Sequence, residues 1–370
     1  MTPLFNSLPP FQKRLLLLLQ NSLWGNPVDE VVFEGINPGD WKKIMQLAAS
    51  QGVFALALDG LTGLPLTIRP PRSLLIEWAL GAKKIENRYN HQINALRSLT
   101  RLYSENGIKC LLIKGLGISR LYHVPEHRES GDLDLFLFGD FEKGNRLVEE
   151  KGIEVQMLGE VHSNFNFELI PVENHRTFLQ IKKQQSDRDL ELLLHAYLTQ
   201  DPPLYSEQFG AYVPPLSFNL LFLFKHAVKH FLTEGIVLRH LCDWALVLHQ
   251  CKDHKDYQAF YDSIRPYNMH RYADAFLDIA VDCLGLPENK NFVTEPDPLF
   301  SSKVLSDILH KKRNEENPSR RNLWQIISGK VKGALFLHNS RWKYDAINRK
   351  VYRQEWGYRL RHYINIFRKR

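Results

Sequence analysis

Two aspartates separated by one residue are the side chains of this sequence that point most directly to chemistry. Asp132 and Asp134 lie in an Asp-Leu-Asp-Leu-Phe-Leu-Phe run whose alternation predicts a strand. Because strand side chains alternate, both carboxylates share one face while Leu133 and Leu135 enter the core. Neighbouring buried carboxylates repel each other, and a divalent cation between them removes that repulsion. The alternative is a strand end with two solvated aspartates.

A short apolar run and a glycine turn precede the aspartates. Residues 110–113 are too few for a helix and are followed by Lys114 and Gly115, which predicts a buried strand closed by a tight turn. Gly115 lets the backbone approach a phosphate without a Cβ clash, and the N-terminus of a following helix favours anions. Lys114 or Arg128 can neutralise phosphate charge. For Arg128 the alternative is a buried ion pair with a core aspartate.

These segments together resemble the nucleotidyltransferase superfamily. The similar branch is usually labelled uncharacterised nucleotidyltransferase, and its core combines a K-G turn, a tyrosine and an R-x-x-x-D-x-D run. In this sequence the matching residues are Lys114, Gly115, Tyr122, Arg128, Asp132 and Asp134. Residues 172–176 resemble the family's V-E-x-H segment, and residues 235–246 resemble a helical segment of the family. The resemblance covers about residues 85 to 250.

The resemblance implies an enzyme that moves an NMP group from an NTP, such as ATP, to a hydroxyl of an acceptor and releases pyrophosphate. Its cofactor is expected to be Mg²⁺, as two ions, and its metal-binding and catalytic residues are Asp132, Asp134 and a third acid on a later strand. Glu173 is the best candidate for that acid, near the acceptor hydroxyl that it helps to deprotonate. Lys114, Gly115 and Arg128 are then expected to contact the nucleotide.

The glycine turn departs from the wider superfamily, which usually has Gly-Ser with the hydroxyl on a nucleotide phosphate. This chain has Gly115-Leu116, so that contact comes from backbone N–H groups, Lys114 or Ser119, or is absent. The departure leaves a second hypothesis open: a catalytically weak nucleotide-binding regulatory or scaffolding protein on the same fold. The presence of all three candidate carboxylates favours the enzyme.

Further polar residues are candidates for an acceptor pocket. Four of them lie at i, i+4 spacing on two successive predicted helices: His226, His230, Arg239 and Asp243. They form a metal site, a hydrogen-bonded seam between helices, or the lining of the acceptor pocket. His175 shares a strand face with Glu173 and is expected close to the metals. We expect the acceptor to be a small molecule rather than a protein or RNA.

The elements that position these residues predict an α+β fold, with a small mixed-sheet nucleotidyltransferase core flanked by N-terminal and C-terminal helical regions. The predicted division is residues 1–100 as the N-terminal helical region, 101–199 as the catalytic core, 200–300 as a helical bundle suited to bind the acceptor, and 301–370 as basic, aromatic-rich C-terminal helices. Within the core, residues 162–170 and 172–181 are predicted to pair as strands around a turn at Pro171. From Asp187 onward the pattern is helical.

Composition and cysteine spacing bound the class of protein. The 370 residues are 44% hydrophobic and 24% charged, as in an ordinary soluble protein. The four cysteines are widely spaced without C-x-x-C, so neither a disulfide framework nor a zinc site is predicted, and a cytoplasmic location is expected. Residues 15–19 are too short an apolar run for a signal peptide, and no run approaches the roughly 18 apolar residues of a membrane span.

Positive charge is concentrated near the C-terminus. Residues 303–370 contain 18 lysines and arginines against 5 acidic residues, a net charge of +13, so the rest of the +7 chain carries −6. Residues 323–370 also interleave aromatic residues with this charge. They are read either as helices that pack their aromatics on the body or as a surface for an anionic partner such as RNA or a membrane.

Overall fold

Helices surround one mixed sheet in this computed structural model, which describes residues 3–158, 161–181, 184–287, 292, 294–310, 340–347, 353 and 357. The helices lie before, between and after the strands. The predicted α+β fold, with a mixed-sheet core and flanking helical regions, is therefore confirmed. The division of the chain into four regions stays a prediction.

The chain before the sheet is helical. Its α-helices are α1 (Pro3–Asn6), α2 (Pro10–Trp24), α3 (Pro38–Ser50), α4 (Phe54–Asp59) and α5 (Arg72–Glu105), with short 3₁₀ helices at Glu30–Phe33, Gly60–Gly63 and Leu66–Ile68. After α5, Gly107 adopts a φ of 72° and the N–H of Ile108 donates to the carbonyl of Tyr103 at 2.9 Å. This turn leads the chain directly into the first strand.

The described strands form a single sheet. They are β1 (Leu111–Leu112), β2 (Leu133–Phe136), β3 (Gln156–Leu158), β4 (His162–Phe167), β5 (Ile170–His175), β6 (Leu204–Ser206) and β7 (Ala211–Val213). Their order is β3-β4-β5-β2-β1-β7-β6. The pairs β2–β5 and β1–β7 are parallel, whereas the remaining neighbours are antiparallel. The strand β2, which contains Asp134, therefore lies at the centre of the sheet, whereas Asp132 immediately precedes it.

Helices also connect the strands and follow them. Between the strands lie α6 (Leu116–Ser119), a 3₁₀ helix at Pro125–His127, α7 (Phe141–Glu149) and α8 (Gln185–Gln200). The later helices are α9 (Leu216–Thr233), α10 (Leu238–His249), α11 (His254–Ile264), a 3₁₀ helix at Arg265–Tyr267, α12 (His270–Asp282), α13 (Pro298–His310) and α14 (Arg341–Asp345). A buried aromatic cluster joins α9, α10, α11 and α12 through Phe224, Trp244, Phe260 and Phe276.

The turn between β4 and β5 differs from the prediction. It lies at Glu168 and Leu169, which adopt positive φ values of 48° and 65°, and not at Pro171. Such a two-residue turn matches the twist of a tight hairpin. Pro171 lies within β5 opposite Asn166, ahead of the residues that pair with β2, so β2 does not need its missing N–H.

The prediction of an uninterrupted helical pattern after Asp187 is also wrong. Strands β6 and β7 form a hairpin between α8 and α9, and β7 pairs with β1 through Leu111 and Tyr212. Residues Ala211 and Val213 are buried against the sheet. These strands have only three residues each, so their pairing depends on a distant part of the chain rather than on a strong local pattern.

Most of the basic, aromatic C-terminal segment lies outside the described residues. The part that is described includes α14, where Lys343 and Tyr344 are buried. The Lys343 ammonium lies 2.6 Å from Asp307 and 3.1 Å from the carbonyl of Phe231, and the Tyr344 hydroxyl donates to the carbonyl of Leu232 at 3.0 Å. At least this part of the segment packs on the body of the protein.

Two compositional expectations can be compared with the structure. All four cysteines are buried and form no disulfide. In the part of the chain that the structure describes, no helix is both long enough and apolar enough to cross a membrane.

Candidate active site

The parallel pairing of β2 and β5 brings two acidic residues of the sequence together. The register places Asp134 beside Glu173, and Phe136 beside His175. Asp134 is almost completely buried, with 1% of its surface exposed, whereas Glu173 is partly exposed. Strand alternation then puts His175 on the face of Glu173, as predicted.

Asp134 is the centre of a compact polar cluster. Its Oδ1 lies 2.7 Å from Lys114 Nζ and 3.1 Å from His175 Nε2. Its Oδ2 is buried and has no hydrogen-bond partner among the described residues. His175 Nε2 also lies 3.6 Å from Glu173 Oε2. One ligand atom each from Asp134, Glu173 and His175 lies within 4.8 Å of the others, which is a spacing that suits a bound cation.

The K-G turn holds Lys114 next to Asp134. Lys114 and Gly115 adopt φ values of 52° and 50°, and the N–H of Gly117 donates to the carbonyl of Lys114 at 2.9 Å. A Cβ at Gly115 would lie 3.2 Å from Ser130 Oγ, so glycine suits both the backbone conformation and the space. Positive φ is uncommon for a lysine and is found where the surroundings hold the residue in place.

The pKa values of Asp132 and Glu173 are shifted in opposite directions. The charge on Asp134, together with burial, raises the pKa of Asp132 to about 6. Burial alone would raise the pKa of Glu173, but the hydrogen bond with His175 and the charge of Lys114 outweigh it and lower that pKa to about 2. At neutral pH both carboxylates are therefore ionised. Asp132 takes up a proton at a much higher pH than Glu173 does.

The acidic residues of the cluster raise the pKa values of its basic residues. Burial works against the charge on Lys114, but the carboxylates of Asp134, Asp132 and Glu173 outweigh it and raise the lysine pKa. For His175, burial is likewise outweighed by hydrogen bonds to Asp134 and Glu173, which raise the pKa of the imidazole.

One cavity of about 580 Å³ contains the cluster. All of the predicted site residues line it: Lys114, Gly115, Arg128, Asp132, Asp134, Glu173, His175, His226, His230, Arg239 and Asp243. Its volume is within the range of small-molecule sites, roughly 300–1,000 Å³. The sheet supplies the acidic wall, and α9 and α10 supply the opposite wall. The structure thus brings the predicted residues to one place, while their individual roles stay predictions.

Comparison with known proteins identifies the family. The family described as uncharacterised nucleotidyltransferase matches residues 37–285, which is more than half of the chain. The chain belongs to this family. The resemblance drawn from the K-G turn and the R-x-x-x-D-x-D run is therefore confirmed, and the match extends beyond both ends of the segment that suggested it. Neither the curated proteins nor the solved structures give a match.

The arginine of the family motif forms a buried ion pair. Arg128 Nε and Nη2 donate to the two oxygens of Asp243 at 3.0 and 2.5 Å, and the Tyr122 hydroxyl donates to Asp243 Oδ1 at 2.7 Å. Arg128 Nη1 donates to the carbonyl of Glu129 at 3.0 Å. The structure thus shows the buried ion pair that the sequence left open for this arginine. A contact between Arg128 and phosphate stays a prediction.

Histidines form a cluster on the helical wall. The ring of His226 lies 4.3 Å from that of His230 and 6.1 Å from that of His240, measured between centroids. Burial, with the nearby charge of Lys114, lowers the pKa of His226 well below its usual value, and burial with the charge of Arg239 does the same for His240. Both rings are therefore uncharged at neutral pH.

A metal site at His226, His230 and Asp243 finds no support. Within the described ranges, the side chains that come close enough to hold a cation as a group of three are Asp134, Glu173 and His175. Asp243 is already engaged by Arg128 and Tyr122. A polar seam between the helices and an acceptor pocket both agree with the position of these residues on the cavity wall.

Two cavity histidines were not predicted from the sequence. His162 Nε2 lies 3.7 Å from Glu173 Oε1, because β4 pairs His162 directly with His175. Placing the hairpin turn at Glu168 and Leu169 would have given this register. His240 lies between the predicted Arg239 and Asp243, and nothing in its local sequence distinguishes it.

Proposed function

We propose that this protein transfers an NMP group from an NTP to a hydroxyl of a small-molecule acceptor in a Mg²⁺-dependent reaction. The observation that carries the proposal is the β2–β5 register, which sets Asp134 beside Glu173 in the cavity that the K-G turn borders. Membership in the nucleotidyltransferase family supports the reaction class.

The donor set fits a divalent cation. Asp132, Asp134 and Glu173 offer carboxylate oxygens, which are the ligands that Mg²⁺ prefers, and Asp134 Oδ2 is a buried acceptor with no hydrogen-bond partner in the described chain. Asp134 and Glu173, assisted by His175 or Asp132, would hold the metal. Bound Mg²⁺ would supply positive charge against the triphosphate and the transition state, and a second ion is part of the proposal.

The residues around the cluster have separate proposed roles. Lys114 and the backbone of Gly115 border the space for the phosphates, and Lys114 carries the positive charge needed there. Glu173 is ionised at neutral pH, so its carboxylate carries the negative charge that suits a cation ligand. Arg128 fixes the loop before Asp132 through its ion pair with Asp243.

The wall formed by α9 and α10 is the proposed acceptor side. The uncharged imidazole of His226 can donate and accept one hydrogen bond, which suits a hydroxyl-bearing molecule. In His240, Nδ1 already contacts the backbone of Val237, so Nε2 is the nitrogen that could contact the acceptor. His230 and Arg239 lie on the same wall. The cavity volume of about 580 Å³ favours a small acceptor over RNA or a folded protein.

A nucleotide screen with one variant tests the proposal. Each NTP is incubated with Mg²⁺ and a small-molecule extract, and pyrophosphate release is measured. We expect release with one or more NTPs, and we expect Asp134→Asn to reduce it by about 10²–10³-fold because a charge-stabilising group is lost. Asp201→Asn, the same change at an exposed aspartate outside the cavity, should leave release unchanged.

Two results would contradict the proposal. The first is full activity of Asp134→Asn, which would remove this carboxylate from the metal site. The second is Mg²⁺-NTP binding without pyrophosphate release under every condition of the screen, which would instead indicate a nucleotide-binding regulatory protein.

A further inference from the structure

Lys114 lies among three carboxylates of the cavity. Its ammonium is 2.7 Å from Asp134 Oδ1, and 15% of the lysine side chain and 1% of the aspartate side chain are exposed. Asp132 and Glu173 line the same part of the cavity and also favour its charge. A mostly buried ammonium in this position shields Asp134 from solvent.

One lysine is a weak counterion for this group of carboxylates. The carboxylates of Asp132, Asp134 and Glu173 lie around the Lys114 ammonium, with the imidazole of His175 beside Asp134 and the charge of Arg239 acting on Asp132. Lys114 and His175 both contact Oδ1 of Asp134, while Oδ2 has no hydrogen-bond partner among the described residues. A divalent ion would balance the negative charge better than the lysine does.

A metal ion and the ammonium cannot share this position. Two like charges a few ångströms apart in a partly buried site repel each other strongly, because little solvent screens them. A cation that binds Asp134 therefore separates Lys114 from it. Because Lys114 is part of the turn with Gly115, its side chain remains at the border of the same cavity after it leaves Asp134.

We propose that Lys114 is an exchangeable counterion of the metal site. In the metal-free protein its ammonium stands in for the cation at Asp134, and metal binding releases it to contact the nucleotide phosphates. Metal binding thereby prepares the phosphate site, which favours an order in which the cation binds before the nucleotide. This inference rests on the proposed function, because it takes Asp134 as a ligand of the metal.

The positive φ of Lys114 agrees with this role. At 52° the backbone is in a region that a lysine rarely adopts, and the ion pair with Asp134 is an interaction that can hold it there. The same turn geometry points the lysine side chain at the acidic cluster rather than at solvent.

Mn²⁺ binding without nucleotide tests the exchange. Isothermal titration calorimetry compares the wild-type chain with Lys114→Met, which keeps the length of the side chain and removes its charge. We expect Lys114→Met to bind Mn²⁺ at least about 10-fold more tightly, since the competing cation is gone. With saturating Mn²⁺, the same variant should bind NTP more weakly than wild type, because the released lysine is missing.

Matched variants separate exchange from a general change of charge. Lys225 lines the same cavity, but its ammonium pairs with Asp187 at 2.8 Å, so Lys225→Met should not tighten Mn²⁺ binding. Lys114→Arg keeps the charge and should bind Mn²⁺ no more tightly than wild type. If Lys114→Met does not fold, Lys114→Gln replaces it, because the amide still donates to Asp134 without a charge.

The outcomes distinguish the two proposals. Unchanged or weaker Mn²⁺ binding by the uncharged Lys114 variants overturns the exchange, even if Asp134→Asn abolishes Mn²⁺ binding as the proposed function requires. Mn²⁺ binding that survives Asp134→Asn, or that is absent from the wild type, overturns the metal site and the exchange together. Tighter binding by Lys114→Met without any NTP turnover supports the exchange and contradicts the transferase.

Discussion

At the scale of single residues, two aspartates only one residue apart have different environments. Asp134 is buried and is held by Lys114 and His175. Asp132 is partly exposed, lies outside the group formed by Asp134, Glu173 and His175, and has a pKa raised to about 6, first by the charge on Asp134. We therefore propose Asp134 as the main metal ligand and expect the metal-free protein to be destabilised by the charge of Asp132.

Asp132→Asn should stabilise the metal-free protein at neutral pH. Because folding raises the pKa of Asp132 from 3.8 to about 6, the folded chain holds its proton more tightly, and this group makes stability fall as pH rises from 4 through 6. The variant should gain up to about 3 kcal/mol of unfolding free energy at pH 7.5, and the gain should shrink toward pH 4. Chemical unfolding with EDTA measures both values.

The test compares the free energy of unfolding of the variant with that of the wild type at each pH. Glu173 contributes in the opposite direction, because its pKa is lowered and its stabilisation is lost as pH falls from about 4.5 to 2. That contribution is present in both chains, so the difference between them retains only the part that depends on the repulsion between Glu173 and Asp132. A gain of equal size at all pH values would show that Asp132 titrates normally.

At the scale of elements, one buried ion pair connects the sheet to the helical wall. Arg128 belongs to the loop that leads into β2, and Asp243 belongs to α10, 115 residues later. Both side chains are almost fully buried, at 6% and 7% exposure. The pair sets the position of α10, and thus of Arg239 and His240, relative to Asp132.

Removing one partner of this pair should be costly. Arg128→Met leaves Asp243 as an unpaired buried charge, so we expect a loss of about 3–5 kcal/mol of unfolding free energy, measured by chemical denaturation. The double variant Arg128→Met/Asp243→Leu should lose less, because neither charge remains buried. A variant with unchanged stability and a raised KM for NTP would instead assign Arg128 to phosphate binding.

At the scale of the whole molecule, residues from the C-terminal part of the chain contribute to the candidate active site. Tyr344 and Ile347 line the cavity that holds the acidic cluster, and Lys343 and Tyr344 bond to α9 at Phe231 and Leu232. The concentration of positive charge in residues 303–370 therefore does not exclude a structural role. An anionic partner for this segment stays a prediction.

Truncation at Leu323 should lower the melting temperature, because it removes these contacts. Tyr344→Ala should by itself cost about 3–5 kcal/mol of unfolding free energy, since it leaves a large cavity where the buried ring packs. The control Tyr344→Phe keeps the ring and loses one hydrogen bond, which is worth about 1 kcal/mol. A truncated chain with an unchanged melting temperature would favour a detachable anion-binding arm.

Local patterns in the sequence determined several features of this protein. Strand alternation predicts a shared face for Glu173 and His175, which both lie in β5; the same rule predicts one for Asp132 and Asp134, but β2 begins one residue after Asp132. The apolar run followed by Lys114 and Gly115 predicts a strand and a turn. These features depend on residues that are close in the chain, where steric limits on the backbone leave few conformations open.

Only the tertiary structure decided which distant groups meet. The ion pair of Lys114 with Asp134, that of Arg128 with Asp243, and the parallel pairing of β1 with β7 join segments that no local pattern relates. Strand pairing shows the same limit, since moving the hairpin turn from Pro171 to Glu168 and Leu169 changes which residue faces His175. Such pairs form because buried charges and backbone groups need partners, and the packed core determines which partners are within reach.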